Sequence, residues 1–369
     1  MNSIFPKLSL DRDVIRWEDY LQALTPWENH QGIWFKREDY FAPLGYGGPN
    51  GAKCRQLIHL MNTQREGKSH VLSGASLKSP QLSMSTIIGA HYGLPTRLVV
   101  GATKPDTMLK HPNPRISAGF GAKFEYINVA YNPQLQKKVE ELTKPSSLVV
   151  RYGITLDHLT QPIEDVLAFH EVGANQVKNL PEEVEVLIVP AGSCNSLVSV
   201  LLDLSRDSKN LKRLFTLGIG PNKMDWVAER CAKMGIDLNS FPFKWKHVSL
   251  HDNGFATYQD MMPESFDGIQ FHPTYEGKMI RYLKNQGWIP QDDTVGFWIV
   301  GSEPDMKVLE PFYVQAPETV IAEAPEFNAD KVAKALYDAC PTVKPKWEQL
   351  GDVTRGVWHE RAESNGEEE

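Results

Sequence analysis

The sequence predicts an α/β fold built from mostly parallel, twisted sheets covered by helices. Short apolar runs alternate with amphipathic helical stretches through most of the 369 residues. Hydrophobic residues make up 41% of the chain and charged residues 23%, which is ordinary globular composition. No internal repeat of 20–50 residues is visible. A βαβα order of this kind places a parallel sheet between layers of helices.

Seven apolar runs are short and often flanked by Gly or Pro, as strands buried in a parallel sheet are. We predict strands at Ile33–Lys36, His70–Ser73, Arg97–Val100, Leu148–Arg151, Val186–Val189, Phe215–Ile219 and Val295–Val300. Between them, helices are predicted to begin near Lys53 and Ser79 and to follow Cys194, Pro221 and Tyr275.

The length suffices for two domains of about 100–200 residues each. We predict a large domain from residues 1–55 plus 166–301 and a small domain from residues 56–165, with the functional site in the cleft at the strand C-termini. Residues 302–361, rich in Pro, Glu and Ala, are predicted to form an appended segment with a helix capped at Asn328. The acidic residues 362–369 are predicted to be a disordered tail.

Bulk properties exclude several classes. The formal net charge of -7 argues against a broad nucleic-acid footprint but leaves a local basic groove open. The four cysteines form no CxxC pair, so neither a metal site nor a disulfide framework is expected. No apolar run approaches the roughly 18 residues that span a bilayer, and the N-terminus lacks a signal-peptide pattern. We therefore expect a cytoplasmic protein with no membrane partner.

A Gly-rich loop at residues 45–52 leads into Lys53 at a predicted helix start. The positive end of a helix lowers the pKa of an ammonium placed there, which favours the free amine that attacks an aldehyde. A surface lysine beside an ordinary turn is the competing interpretation, and it is favoured when this segment is taken alone.

Two further turns could bind anions. Residues 192–195 lie between a predicted strand and a predicted helix, where free N–H groups suit a phosphate, although a plain βα turn fits equally well. Ser79 precedes Pro80 at another helix start. Its hydroxyl could bind a carboxylate, but capping the helix is the better explanation when it is viewed alone.

The segment His272–Lys278 places Tyr275 and Glu276 at a helix start, where they could act as acid/base groups. A capped helix with a solvated charged face is the alternative. There is no HExxH, GxSxG or GxxxxGK[ST] pattern, so metal-hydrolase and P-loop interpretations have little support.

Taken in order, these segments resemble pyridoxal 5'-phosphate (PLP) enzymes of the 1-aminocyclopropane-1-carboxylate deaminase and D-cysteine desulfhydrase family, within the tryptophan-synthase-β-like (fold type II) superfamily. The resemblance covers about residues 30–301. It is carried by Lys36–Asp39, Gly47–Gln56, Gly74–Gln81, Gly192–Asn195 and His272–Lys278.

The resemblance implies PLP as cofactor and a role for each site residue. Lys53 would form a Schiff base with the cofactor and later move the α-proton, with Ser79 beside the substrate carboxylate and Tyr275 close to the substrate. Glu276 would face the pyridine nitrogen and keep it protonated. The cofactor phosphate would be held by Gly192, Ser193, Cys194 and Asn195.

Four positions depart from the family pattern. Pro80 replaces the asparagine that hydrogen-bonds the cofactor's phenolic oxygen, and Gln56 replaces a lysine near the phosphate. Cys194 replaces a phosphate-binding threonine. A deaminase tyrosine aligns with Phe255, although Tyr258 is near. The pocket is retained, but the reaction is left open.

The leading expectation is a PLP-dependent lyase or deaminase that acts at the α-carbon of a small-molecule amino acid through a carbanion. The alternative is a decarboxylase for an aminoacyl group attached to a larger substrate, such as a nucleoside or DNA. A second alternative is a catalytically silent PLP-fold binding protein, which Pro80 favours. The resemblance also implies a homodimer.

Overall fold

The computed structural model describes residues 16–45, 47–101, 105–129, 131–287 and 294–306. Most of the predicted appended segment, with its helix at Asn328, and the predicted tail at 362–369 lie outside these ranges.

The described residues form strands separated by helices. The strands are β1 Trp27–His30, β2 Ile33–Arg37, β3 His70–Gly74, β4 Thr96–Gly101, β5 Lys123–Ile127, β6 Ser147–Val150, β7 Val186–Ala191, β8 Arg213–Gly218, β9 Lys244–Ser249, β10 Ser265–Phe266, β11 Ile269–Gln270 and β12 Val295–Ile299. The α-helices are α1 Ala52–Gln64, α2 Gln81–His91, α3 Pro105–Met108, α4 Pro112–Gly119, α5 Asn132–Leu142, α6 Ile163–Ala174, α7 Asn195–Leu204, α8 Met224–Lys233 and α9 Glu276–Asn285. Short 3₁₀ turns occur at Trp17–Tyr20, Glu38–Tyr40 and Asn175–Val177.

The strands form two main sheets. The large sheet has the order β1-β2-β12-β7-β8-β9 and is parallel except for the β1–β2 hairpin. The small sheet has the order β5-β4-β3-β6 and is parallel throughout. The prediction of an α/β fold with mostly parallel sheets is confirmed. The domain boundaries at residues 56 and 165 remain a prediction.

All seven predicted strands are present, with ends shifted by no more than two residues. The strands that the sequence analysis missed include β1, β5 and β9, which are edge strands of the two sheets. Edge strands carry polar side chains that discourage pairing with other chains. They therefore lack the continuous apolar run by which buried parallel strands are recognised.

The large sheet is packed on both faces. Leu214 of β8 belongs to a hydrophobic cluster with Leu201 of α7, whereas Leu217 of the same strand packs with Met279 of α9. Successive strand side chains point to opposite faces, so β8 contributes to both clusters. A third cluster joins α1, α2 and α6 to β3 and β6. No helix among the described residues is long and apolar enough to cross a membrane.

The carboxyl end of β12 fixes where α1 begins. Val300 accepts a hydrogen bond from the backbone N–H of Ala52 (3.0 Å), and Gly51 has a left-handed φ of +95°. A Cβ at Gly51 would overlap the Val300 carbonyl oxygen. Only glycine permits this conformation and this close approach together. The helix that carries Lys53 is therefore anchored directly to the central strand.

Gly51→Ala is expected to destabilise the protein by about 2 kcal/mol or more, because backbone strain and a steric overlap add. Gly67→Ala is the matched control, since Gly67 also has a positive φ (+69°) but nothing within 4 Å of an added Cβ. The control should lose only roughly 1 kcal/mol from the left-handed conformation. Urea unfolding measures both values. Equal losses of stability in the two variants would show that the Val300 carbonyl oxygen does not exclude a side chain at residue 51.

Candidate active site

Two adjoining cavities lie where the carboxyl ends of the strands meet, and they share the lining residues Lys53, Gly192, Ser193 and Tyr275. The first has a volume of about 50 Å³ and is named the Met84 cavity after a residue that lines it alone. Its other lining residues include Pro80, Cys194, Ser196, His272 and Val300. The second has a volume of about 110 Å³ and is named the Tyr152 chamber after a residue that lines it alone. Its other lining residues include Ser79, Asn132, Lys223 and Tyr258. This is the end of a parallel sheet at which ligands bind in α/β proteins.

Lys53 is the second residue of α1 and lines both cavities. Burial, together with the positive charge of Lys223, lowers the pKa of its ammonium to about 8, while Glu276 opposes the shift. The direction agrees with the sequence analysis, but the causes differ, because burial and Lys223 replace the helix terminus as the explanation. Roughly a tenth of this amine is therefore uncharged at neutral pH, far more than for an ordinary lysine.

The turn after β7 is shaped to receive an anion. An added Cβ at Gly192 would meet only the ring of Tyr275, at 3.9 Å, so the missing side chain leaves open space. Cys194 has a left-handed φ of +69° immediately before α7 begins. Burial raises the pKa of the Cys194 thiol to about 11, so it carries no negative charge at neutral pH. Helix N–H groups free of competing charge suit a phosphate.

The side chain of Asn195 has a structural task. Its Nδ2 donates to the carbonyl oxygens of Gly153 and Ile154, each at 3.0 Å, and the residue lines neither cavity. It therefore joins the turn after β7 to the loop that follows β6. Ser196 lines the Met84 cavity instead. A hydroxyl at the next helical position was the sequence signal that could have identified it.

Lys223 is a site residue that sequence reasoning missed. It lies just before α8, and its Nζ donates to the carbonyl oxygen of Gly192 at 3.3 Å. Gln56, which stands in the place of a family lysine, instead donates to Ser199 at 3.3 Å and lines neither cavity. The Gly-Pro turn before Lys223 follows β8, whose carboxyl end lies beside that of β7, and this adjacency was the available signal.

Glu276 is fully buried at the start of α9. Its Oε1 accepts the backbone N–H of Val300 at 2.9 Å, whereas Oε2 has no hydrogen-bond partner. Burial raises the pKa of this carboxyl group to about 8, and backbone N–H groups partly offset the shift. An unpaired buried oxygen is costly. A protonated ring nitrogen placed against Oε2 would remove that cost.

Tyr275 and Tyr258 form a pair of phenols in the Tyr152 chamber. Their hydroxyl oxygens are 3.0 Å apart, and Nζ of Lys53 lies 5.7 Å from the ring centre of Tyr275. Burial, reinforced by Tyr258, raises the pKa of Tyr275 well above its usual value, so it remains a proton donor. Phe255 packs against Tyr282 with ring centres 5.2 Å apart. Tyr258, rather than the residue at position 255, is therefore the tyrosine that pairs with Tyr275 in this chamber.

Ser79 caps the start of α2 and also lies at the cavity wall. Its Oγ accepts the backbone N–H of Gln81 at 3.3 Å, and the residue also lines the Tyr152 chamber. Pro80 forms part of the wall of the Met84 cavity. Gln81 is not free to replace the missing family asparagine, because its amide bonds Ser73 and accepts the N–H of Gly153.

These residues fit PLP. The unpartnered Oε2 of Glu276 matches the pyridine nitrogen. The open space at Gly192 matches the phosphate, together with the first N–H groups of α7, which as in any helix have no partner within the helix. Lys53, partly uncharged, lies in the wall that the two cavities share, whereas Glu276 lines neither cavity.

Comparisons with known proteins agree with this assignment. No family model matches the chain. The O-seryl-dTMP PLP-dependent decarboxylase of Salmonella phage ViI is 35% identical over 392 aligned positions, covering 88% of this chain and 92% of the relative. A solved 1-aminocyclopropane-1-carboxylate (ACC) deaminase homologue has a TM-score of 0.59 at 19% identity, covering 83% of this chain and 96% of that chain. O-acetylserine sulfhydrylase isoform 3 of Entamoeba histolytica has a TM-score of 0.52 at 15% identity, covering 88% and 97%.

The fold and the cavity together define a PLP-dependent enzyme of fold type II. The chain belongs to the family that includes the phage O-seryl-dTMP PLP-dependent decarboxylase.

Replacing Lys223 should change the titration of Lys53. Lys223→Gln removes a positive charge that disfavours the Lys53 ammonium, so the pKa of Lys53 should rise from about 8. Lys223→Arg keeps the charge and should leave it nearly unchanged. The rate at which a small amine-reactive reagent modifies Lys53 in cofactor-free protein, followed by peptide mass spectrometry across pH, measures this. An unchanged midpoint in Lys223→Gln would contradict the electrostatic coupling.

Proposed function

We propose that this protein is a PLP-dependent decarboxylase that removes the α-carboxyl group of a seryl or similar aminoacyl group attached to a nucleotide. The observation that carries the proposal is the 35% identity to the phage O-seryl-dTMP decarboxylase across 88% of this chain and 92% of that one. The sequence analysis held this reaction as the alternative to deamination or elimination.

Lys53, the turn at residues 192–196 and Glu276 would hold the cofactor, which supplies an electron sink for the pair of electrons left at the α-carbon. Glu276 would keep the ring nitrogen protonated through its unpaired Oε2. Its buried position means that no water competes for that oxygen. Tyr275, whose ring lies beside Gly192, would form one wall of the binding space.

The environment of the leaving carboxylate supports decarboxylation. Among the described residues that line the two cavities there is no arginine, the side chain that clamps carboxylates with two parallel hydrogen bonds. A strong clamp would stabilise the ground state of a group that must leave as uncharged CO₂. The hydroxyl of Ser79 can orient the carboxylate without holding it tightly.

The α-carbon must receive a proton after CO₂ leaves, and two groups could deliver it. Lys53 exchanges protons readily because its pKa is about 8. The phenol of Tyr275 stays protonated and is hydrogen-bonded to Tyr258. We assign this proton to Lys53, since it lines both cavities, and give Tyr275 an orienting role.

Deamination or elimination at the α-carbon is the second candidate. It is favoured by Glu276, because the resemblance noted from the sequence places glutamate at this position in the deaminase branch. Membership of the decarboxylase family supports an enzyme over the catalytically silent alternative.

The decisive experiment is a product assay of the PLP-loaded protein with O-seryl-dTMP labelled in the carboxyl carbon. Labelled CO₂ with retention of the amino group is expected. Release of ammonia and a keto acid, with the label retained, would select deamination. Turnover of neither kind, with PLP bound, would overturn the proposal.

Lys53→Ala should lower CO₂ release by at least about 10³-fold, because it removes both cofactor attachment and the proton carrier. Lys244→Ala is the control, since Lys244 is an exposed lysine at the start of β9, at the far end of the sheet. The control should retain full activity. Persistent activity in Lys53→Ala would place the chemistry elsewhere.

Glu276→Gln should lower kcat by about 10- to 10³-fold, because a neutral amide cannot keep the ring nitrogen protonated. The absorbance spectrum of the bound cofactor should shift as well, which a purely structural loss would not produce. An unchanged spectrum and rate would remove Glu276 from the assigned role.

A further inference from the structure

We propose that the Tyr152 chamber contains a nucleotide subsite in which Lys223 binds the phosphate, Tyr152 stacks on the base and Asn132 accepts an N–H group of the base. This inference rests on the proposed function and names the residues that would recognise the nucleotide part of the substrate. The three residues come from three separate elements, and all line the same chamber.

Lys223 supplies the positive charge. Besides Lys53, it is the only cationic side chain among the described residues that line the two cavities. One of its three N–H donors bonds the carbonyl oxygen of Gly192, which leaves donors available. Lys223 lines the Tyr152 chamber and not the Met84 cavity. Its charge therefore faces the Tyr152 chamber, where a charged group of the substrate can reach it.

Tyr152 offers a ring for stacking. It follows β6 and is 36% exposed, and Nζ of Lys223 lies 5.2 Å from its ring centre. Its backbone N–H donates to Gln136 at 3.3 Å, which ties it to α5. An aromatic ring that is fixed in place and open on one side is the platform on which proteins stack nucleobases.

Asn132 presents an unused acceptor beside that ring. Its side chain hydrogen-bonds Tyr152, yet its Oδ1 is buried without a partner. Leaving a buried amide oxygen unpaired costs free energy unless a ligand pairs with it. An amide oxygen can accept the imide N–H of the thymine base in the proposed substrate.

The chamber connects this subsite to the reacting centre, because Lys53, Gly192, Ser193 and Tyr275 belong to both cavities. A base at Tyr152 would leave an attached aminoacyl group free to extend toward Lys53. If Lys223 bound the α-carboxylate instead, it would stabilise the ground state of the group that must leave as CO₂. The phosphate is therefore the better partner for this cation.

Equilibrium dialysis of the PLP-loaded protein with dTMP and with thymidine tests the subsite without turnover. Lys223→Gln should weaken dTMP binding about 10- to 100-fold, the effect of a lost charged hydrogen bond, and change thymidine binding less than about twofold. Lys223→Arg should largely restore dTMP binding. Tyr152→Leu and Asn132→Leu should weaken both ligands. Lys244→Gln is the control and should change neither.

A thymidine-containing oligonucleotide distinguishes a nucleotide within a strand from a free one. One of the two ligands, dTMP or the oligonucleotide, will bind the unaltered protein more tightly. That ligand must bind Lys223→Gln more weakly than it binds the unaltered protein. Equal weakening of thymidine and dTMP in that variant, or no change in any variant, would overturn the proposal. Because these experiments measure binding alone, they are independent of the CO₂ assay. The subsite can be refuted while CO₂ release is observed, and the subsite can be supported while no CO₂ is released.

Discussion

The backbone of Val300 links the parts of the active site. Its carbonyl oxygen accepts the N–H of Ala52 at 3.0 Å, and its N–H donates to Oε1 of Glu276 at 2.9 Å. One residue at the end of β12 thus sets the start of the helix that carries Lys53 and the position of the carboxylate assigned to the ring nitrogen. Because β12 lies between β2 and β7, the same strand end also lies next to the turn after β7.

Burial gives these residues their chemistry. It lowers the pKa of Lys53 to about 8 and raises that of Glu276 to about 8, so the two groups exchange protons in the same pH range. Neither shift requires a strong ion pair. The protonation states of both groups therefore respond to a charge placed next to them. A cationic ring nitrogen of the cofactor would hold Glu276 ionised.

The sequence was sufficient for the fold, whereas the roles of the site residues remain predictions. Buried parallel strands leave strong local patterns. The turns before Lys53 and after β7 and the segment around Glu276 are weak patterns singly, and only their order along the chain suggested one site. Lys223 and Tyr152 were missed because each follows a different strand and gains meaning only when the strand order is known. Asn195 shows another limit of the sequence, since its position at a helix start did not indicate that its side-chain amide donates to Gly153.

The central claim is that Lys53 is the amine that holds the cofactor, and a second lysine in the same chamber makes it directly testable. PLP-loaded protein is reduced with borohydride, digested and mapped by mass spectrometry. The account predicts that the reduced cofactor is attached to the peptide containing Lys53, and that Lys223 is unmodified. Attachment at Lys223, or at a lysine outside both cavities, would contradict it.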